Sequence, residues 1–142
     1  MKSFLDTNVL VYLFDTGEAG KQIRARELVA DLVGRGDALL STQVLQEFYV
    51  TVTRKLAVPL DADDAEAAVR EFAQLPLVQV DEAMVLAAIR RHRQTGYAFW
   101  DALIIEAAVR GGAERLLSED LHAGHAIDGL IIENPFAGME RA

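Results

Sequence analysis

Three aspartates in this chain occupy positions from which a carboxylate can act on a ligand. Asp6 directly follows a short apolar strand, Asp101 falls in the first turn of a predicted helix, and Asp120 follows a second apolar strand. All three positions are compatible with one edge of one sheet, where ligands bind in open parallel α/β folds. Clustered carboxylates repel one another unless a proton or a hard divalent cation, such as Mg²⁺ or Mn²⁺, neutralises them. The spacing therefore predicts a metal-assisted hydrolytic site, with phosphodiester hydrolysis as the reaction implied.

One further carboxylate and two neutral polar residues are candidates for the same site. Glu47 can join it from the third predicted helix, although helical projection places Glu47 off the apolar stripe, so a solvated glutamate is an equal alternative. Asn8 and Ser118 would add neutral oxygens that orient ligands or a bound water. Asp6 also has a simpler alternative, which is to cap the helix that follows it.

Other chemistries fit the remaining residues less well. The chain has no cysteine, so disulfides and thiolate metal sites are excluded. Its three histidines, at positions 92, 122 and 125, are too poorly spaced for a convincing zinc site. Neither a nucleophile elbow nor a phosphate-binding glycine loop is present. Phe99 and Trp100 can stack on a nucleic-acid base, but aromatic residues beside a helix start are more often part of the core.

The order of the predicted elements indicates an α/β fold. Near-continuous apolar runs alternate with helical periodicity, a pattern typical of a parallel sheet covered on both faces. The predicted strands lie at residues 4–5, 38–40, 77–80, 116–118 and 130–132. Helix starts are expected at Ser41 or Thr42, at Asp61 and at Asp81, and Pro59 is expected to stop the third helix. We expect one domain spanning residues 1–142.

Charge and hydropathy limit the partners. The net charge of −8 argues against a broad basic face that grips nucleic acid. Residues 61–82 hold seven acids and one arginine, which leaves the remainder of the chain nearly balanced. Two basic clusters, at positions 21, 24 and 26 and at Arg90, Arg91 and Arg93, could touch an anionic partner, although each fits a solvated helix face. No signal peptide or membrane span is evident, so a cytoplasmic protein is expected.

Four short motifs together are more specific than any one of them alone. They are Phe4-Leu5-Asp6-Thr7-Asn8, Gln46-Glu47-Phe48, Trp100-Asp101-Ala102-Leu103-Ile104 and Leu117-Ser118-Glu119-Asp120-Leu121. In this order and spacing, the chain resembles a PIN-domain ribonuclease and, within that family, the VapC toxins of toxin-antitoxin pairs. The resemblance spans nearly the whole chain.

The resemblance implies a PIN-like three-layer α/β/α sandwich with a mainly parallel sheet. It also implies a Mg²⁺- or Mn²⁺-dependent endoribonuclease that forms homodimers and is inhibited by an antitoxin. The acidic metal site of the family corresponds to Asp6, Glu47, Asp101 and Asp120, with Asn8 and Ser118 as supporting polar groups. The resemblance, rather than spacing, promotes Glu47 to this set.

How partners bind is a separate expectation. We suggest that the metal and the basic turn at Arg90, Arg91 and Arg93 share the task of binding RNA. An antitoxin would place an arginine or lysine among the four acids and an amphipathic helix in a groove. Aromatic residues that could line this groove are Tyr12, Phe14 and Tyr49, although each also suits the core.

Three alternatives stay open at this point. A haloacid-dehalogenase-like phosphatase also begins with a strand ending in aspartate, but its second aspartate corresponds here to Asn8, which cannot act as a general acid. A PIN-like scaffold that binds without cutting would be expected to lack one of the four acids. A PIN-domain nuclease of RNA processing, unrelated to toxins, fits the same residues.

Overall fold

The chain folds around a six-stranded, mostly parallel sheet. A computed structural model describes residues 1–139, and within them the strand order is β3-β2-β1-β4-β6-β5. The strands are β1 (Ser3–Leu5), β2 (Ala38–Ser41), β3 (Leu77–Val78), β4 (Arg115–Leu117), β5 (Ala126–Ile127) and β6 (Leu130–Glu133). All neighbouring strands are parallel except β5 and β6. Helices flank this sheet, which confirms the predicted α/β/α sandwich.

Six helices connect or precede the strands in the described part of the chain. They are α1 (Thr7–Tyr12), α2 (Ala19–Arg35), α3 (Thr42–Arg54), α4 (Ala62–Phe72), α5 (Glu82–Thr95) and α6 (Phe99–Arg110). The side chains of Ser41, Asp61 and Asp81 each accept a hydrogen bond from a backbone N–H in the first turn of the helix that follows, as predicted. Within residues 1–139, no helix has both the length and the apolar character needed to cross a bilayer.

The structure corrects two element boundaries and adds one strand. Helix α3 ends at Arg54, well before Pro59, because the chain turns back there and the Leu60 amide donates to the carbonyl of Val52 at 2.9 Å. Strand β3 stops at Val78, since the Val80 amide donates to the Thr42 hydroxyl at 3.1 Å instead of to a strand. The antiparallel strand β5 was not predicted. The single-domain expectation stays a prediction, and residues 140–142 lie outside the described part.

The sheet topology creates one crevice at its carboxyl edge. Strand β1 lies between β2 and β4, with Phe4 paired to Leu39 on one side and to Leu116 on the other, and all three side chains are buried. Strands β2 and β3 lie on one side of β1, and the later strands β4 and β6 lie on the other. The order of the strands thus reverses between β1 and β4. A crevice forms where the order reverses, and it is the preferred ligand site in this class of sheet. Asp6, which directly follows β1, and the loop after β4 therefore lie at this crevice.

Gly111, which follows α6, shows how tightly that helix packs against the sheet. A Cβ atom built on Gly111 would lie 2.3 Å from Leu39 Cδ2 and 3.0 Å from Val78 Cγ2. We therefore expect Gly111→Ala to destabilise the protein by about 1–3 kcal/mol, measured by urea unfolding. Gly34→Ala on α2 is the matched control, because its added methyl group has no contact within 4 Å beyond its chain neighbours and the backbone of its own helix.

The control variant should gain about 0.5–1 kcal/mol through better helix propensity. Equal stability of the Gly111→Ala variant and the wild-type protein would show that Leu39 moves aside freely and that this contact does not fix α6.

Candidate active site

A cleft of about 370 Å³ opens at the carboxyl ends of β1 and β4. The four carboxylates named from the sequence, Asp6, Glu47, Asp101 and Asp120, all line it. They come from the end of β1, from α3, from the first turn of α6 and from the loop after β4. The fold thus brings acids that are distant in sequence to one cleft.

Asp6 is the most buried of the four. It is 8% exposed, its Oδ1 accepts a hydrogen bond from the Thr7 amide at 2.7 Å, and its Oδ2 accepts one from the Ser118 hydroxyl at 2.7 Å. Burial raises the pKa of Asp6, the two hydrogen bonds lower it, and the negative charges of Glu47 and Asp120 raise it, so that the pKa is about 6. Asp6 therefore caps α1 and also presents to the cleft a carboxylate whose ionised form is disfavoured by burial.

Glu47 reaches the cleft from the middle of α3. Its carboxylate accepts a hydrogen bond from the Thr7 hydroxyl at 3.0 Å, and its side chain is half-buried. Thr51 and Lys55 follow at four-residue intervals and line the same cleft, so this stripe of α3 faces the site while the neighbouring apolar stripe faces the core. Glu47 is therefore not simply solvated, which was the alternative considered from the sequence.

Asp101 and Asp120 form the other side of the cleft. Burial and the negative charge of Asp120 raise the pKa of Asp101. Asp120 is exposed, and its Oδ2 accepts a hydrogen bond from Asn8 Nδ2 at 3.1 Å. The two acids are thus close enough to influence each other through charge.

Asn8 and Ser118 serve mainly to hold the acidic residues. The Ser118 hydroxyl donates to Asp6 and accepts from the backbone amides of Asp120 and Leu121 at 3.2 and 3.3 Å. The Asn8 side chain donates to Asp120 and accepts from the Glu119 amide at 3.2 Å. Both side chains therefore fix the loop after β4 against the start of α1.

A buried ion pair behind the cleft was missed by the sequence analysis. Lys21 is 3% exposed, and its ammonium donates to Glu119, which also accepts a hydrogen bond from the Tyr12 hydroxyl at 2.6 Å. The ammonium lies 5.1 Å from the centre of the Tyr12 ring. The basic cluster around position 21 was read as a solvated face, but Lys21 is in register with Ala25 and Leu28 on the buried stripe of α2. That spacing was the available signal.

The basic turn of α5 lies apart from the cleft. Arg91 points inward and forms ion pairs with Glu106 at 2.7 Å and Asp128 at 2.9 Å. Arg90 and Arg93 line a different cavity, which shares no lining residue with the cleft. The suggested RNA contact at this turn is therefore not part of the acidic site. Lys55 is the cationic side chain that lines the cleft.

The donor set suits a hard divalent cation, although no closed cage is preformed. In residues 1–139, no three Asp, Glu or His side chains lie close enough together to form a metal-holding group. Mg²⁺ usually keeps several waters and binds proteins through one or two carboxylates, so a closed cage is not required. Burial raises the pKa values of Asp6 and Asp101, and neighbouring carboxylates, whose charge a cation would offset, raise them further. The residues present thus fit a hydrated Mg²⁺ or Mn²⁺ ion.

The burial of Asp6 should make the stability of the metal-free protein depend on pH. Because its pKa is near 6 when folded and near 3.8 when unfolded, the folded state binds more protons between these values. Stability should therefore fall as pH rises from 4 to 6 and stay low above it. We expect Asp6→Asn to remove this loss and to raise stability at pH 7.5 by about 2 kcal/mol, measured by urea unfolding with EDTA.

The matched control is Asp63→Asn on the exposed first turn of α4. This change should alter the free energy of unfolding by well under about 1 kcal/mol at pH 7.5 and at lower pH. A large destabilisation by Asp6→Asn at pH 7.5 would show that the hydrogen bonds of Asp6 outweigh the cost of its buried charge.

Comparisons with known proteins place this geometry in context. The family model of the PIN domain matches residues 3–126. The fold is similar to VapC20 of Mycobacterium tuberculosis, a sarcin-ricin loop cleaving toxin, with 21% identity and a TM-score of 0.63 over 80% of this chain and 86% of that one. It is also similar to DNA-bound VapBC of Salmonella typhimurium, with 20% identity and a TM-score of 0.66 over 95% of this chain and 98% of that one.

A third similar structure is VapBC2 of Rickettsia felis bound to a promoter DNA fragment, with 18% identity and a TM-score of 0.66 over 94% of this chain and 98% of that one. At these identities the structural likeness establishes the shared fold. A comparison with curated protein sequences gave no match.

Proposed function

The chain belongs to the PIN domain family, and from this premise we propose that it is a metal-dependent endoribonuclease that acts as the toxin of a toxin-antitoxin pair. The observation that carries the proposal is the convergence of Asp6, Glu47, Asp101 and Asp120 on one cleft at the switch point of the sheet. The similarity of the fold to VapC and VapBC structures supports the toxin part of the proposal.

We assign the four carboxylates as catalytic residues and as the ligands of Mg²⁺ or Mn²⁺. When bound, such an ion supplies Lewis-acid activation of water and of the scissile phosphate. Asp6 is held rigidly by its two hydrogen bonds, so it contributes a fixed negative charge at the base of the cleft. Asn8 and Ser118 keep Asp120 and Asp6 in register, and Lys55 at the rim faces the RNA backbone.

Two of the alternatives are less consistent with the site. Asn8 stands where a phosphatase of the haloacid-dehalogenase type needs a general acid, and both ends of its amide are occupied by the loop after β4. A silent scaffold has no need for four acids in one cleft, where their mutual repulsion costs stability. A PIN nuclease of RNA processing shares all of these residues and is distinguished only by experiment.

We propose that the antitoxin covers both the cleft and an apolar surface on α3 and α4. This surface holds a cavity of about 420 Å³ lined by Leu45, Gln46, Tyr49, Val50, Glu66 and Val69. Tyr49 is 39% exposed there and suits the apolar face of a partner helix. An arginine or lysine of the antitoxin would occupy the acidic cleft and compete with the cation through charge-assisted hydrogen bonds.

The other two aromatic residues expected at this groove lie elsewhere. Tyr12 is buried against Phe136, with ring centres 4.8 Å apart, and binds Glu119. Phe14 packs on Phe48, with ring centres 5.6 Å apart. The homodimer implied by the family resemblance remains a proposal.

Nuclease activity is tested with purified protein and RNA. We expect cleavage with Mg²⁺ or Mn²⁺, loss of cleavage with EDTA and no requirement for Zn²⁺. Asp101→Asn should lower kcat by about two orders of magnitude or more while the circular dichroism spectrum is kept, because the change removes a negative ligand without changing shape. Asp63→Asn should cleave like the wild-type protein. Equal cleavage by metal-free and Mg²⁺-loaded protein would exclude the metal-dependent mechanism.

The toxin assignment is tested in cells. Expression of the chain alone should arrest growth, because an uncovered ribonuclease degrades host RNA. Asp6→Asn should abolish the arrest, and so should co-expression of the small gene adjacent to this one. Normal growth despite abundant soluble wild-type protein that cleaves RNA in vitro would favour an RNA-processing nuclease over a toxin.

A further inference from the structure

A second cavity of about 330 Å³ adjoins the acidic cleft. We call it the side cavity, and its lining residues are Gln43, Gln46, Glu47, Val50, Thr51, Lys55 and Trp100. Five of these residues also line the acidic cleft, so the two spaces are continuous. A chain bound across the cleft therefore enters the side cavity next to the catalytic acids.

Trp100 forms an exposed wall of the side cavity. Its side chain is 62% exposed, although the sequence analysis expected core packing for it. Its ring meets Phe99 edge to face at 5.1 Å, and its carbonyl oxygen accepts a hydrogen bond from Gln43 Nε2 at 3.1 Å. Phe99 packs against the core as expected. The indole is thus anchored at the start of α6 and presents an aromatic surface suited to stacking on a base.

Two polar groups at the side cavity also point to a ligand. Lys55 is exposed and forms no ion pair with any of residues 1–139. Gln43 is 3% exposed, and in the described part of the chain its Oε1 is a buried acceptor without a hydrogen-bond partner. A buried acceptor left unpaired costs stability, so a donor from a ligand or its water would be favourable there.

Electrostatics explain why stacking is needed at this site. Six carboxylates and one lysine line the acidic cleft, so it repels a phosphodiester backbone in the absence of a cation. Arg90 and Arg93 line a different cavity, and Arg91 is paired with Glu106 and Asp128. Binding energy must therefore come in part from contacts that do not depend on positive charge, and base–aromatic stacking is such a contact.

We propose that the side cavity binds an unpaired nucleobase of the RNA substrate next to the scissile phosphate, stacked on Trp100, with Lys55 on the adjacent phosphate. The proposal rests on the ribonuclease function and assigns Trp100 and Lys55 as the residues that would bind the nucleotide beside the scissile phosphate. A paired base is already stacked within its helix and cannot enter the side cavity without being extruded.

Intrinsic fluorescence tests the stacking directly, because Trp100 is the only tryptophan in the chain. The Asp101→Asn variant with Mg²⁺ is titrated with a short single-stranded oligoribonucleotide, and binding is followed independently by the polarisation of a dye on the oligonucleotide. We expect quenching that saturates together with polarisation. A series of oligonucleotides is then tested, each with an abasic nucleotide at a different position. One position of the abasic nucleotide should abolish the quenching of Trp100 fluorescence, and a blunt duplex should not quench it. Binding without quenching would overturn the proposal.

Cleavage kinetics provide the second readout. Trp100→Ala should raise KM for single-stranded RNA by about tenfold or more, with kcat changed less than about threefold, whereas Trp100→Phe should stay within about threefold of wild type. Lys55→Gln should raise KM and lower the slope of log affinity against log salt by about one. Ile23→Ala is the matched control, since Ile23 is 60% exposed on α2, away from both cavities.

The outcomes separate this proposal from the function on which it rests. If RNA quenched Trp100 fluorescence but was not cleaved under any metal condition, the result would support nucleobase binding in the side cavity and reject the nuclease function. Normal cleavage with an unchanged KM for Trp100→Ala would reject the side cavity and leave the nuclease standing. If Trp100 responded to the antitoxin protein but not to RNA, the side cavity would be a protein-docking surface and the proposal would be wrong.

Discussion

The hydrogen bond from the Ser118 hydroxyl to Asp6 Oδ2, 2.7 Å long, is the interaction on which the site depends. It joins the ends of β1 and β4, the two strands between which the order of the sheet reverses. The same hydroxyl accepts from the amides of Asp120 and Leu121, so one oxygen sets both the orientation of Asp6 and the path of the loop that carries Asp120. Its full use within the protein explains why Ser118 is buried and does not face the cleft.

The rest of the structure compensates for a site that is unfavourable by itself. Burying Asp6 near other acids raises its pKa to about 6, which means that its charged form is destabilised in the folded protein. Apolar packing around α1 and α3, including the edge-to-face contacts of Phe48 with Phe14 and Phe72, holds the elements that carry the acids. The ion pair of Lys21 with Glu119 anchors the loop from behind. Stability given up at the cleft in this way is typical of functional sites.

Local signals predicted the elements and the acids that lie at their ends. Apolar runs marked the strands and capping side chains marked the helix starts, so Asp6 and Asp120 could be placed at the sheet edge from sequence alone. Glu47 needed the family resemblance, because the face of α3 that meets the cleft is decided by packing of the helix. The β5–β6 hairpin had a local signal that was not used, the dipeptide Asp128-Gly129, in which both residues have positive φ.

Two side chains, Lys21 and Trp100, were read in the wrong environment for the same reason. Residue type predicts an exposed lysine and a buried tryptophan, but here Lys21 is 3% exposed and Trp100 is 62% exposed. Helical spacing places Lys21 on the buried stripe of α2, but it does not reveal the partner of Lys21, Glu119, which lies outside that helix. For Trp100 the sequence offers no such spacing signal. Departures of this kind are therefore informative about function, since both lie beside the cleft.

The shortage of positive charge in the cleft links catalysis to inhibition. A site built from basic residues would bind RNA without help and would have to be blocked by an acidic partner. Six carboxylates and one lysine line this cleft, so in the proposed function it would bind RNA only when a cation offsets their charge. Burial, and to a smaller extent the neighbouring carboxylates, raises the pKa values of Asp6 and Asp101. A lysine or arginine inserted by a partner would compete with the metal for the same carboxylates. In the proposed function, the negative charge that would bind the metal would therefore also attract an inhibitory basic side chain.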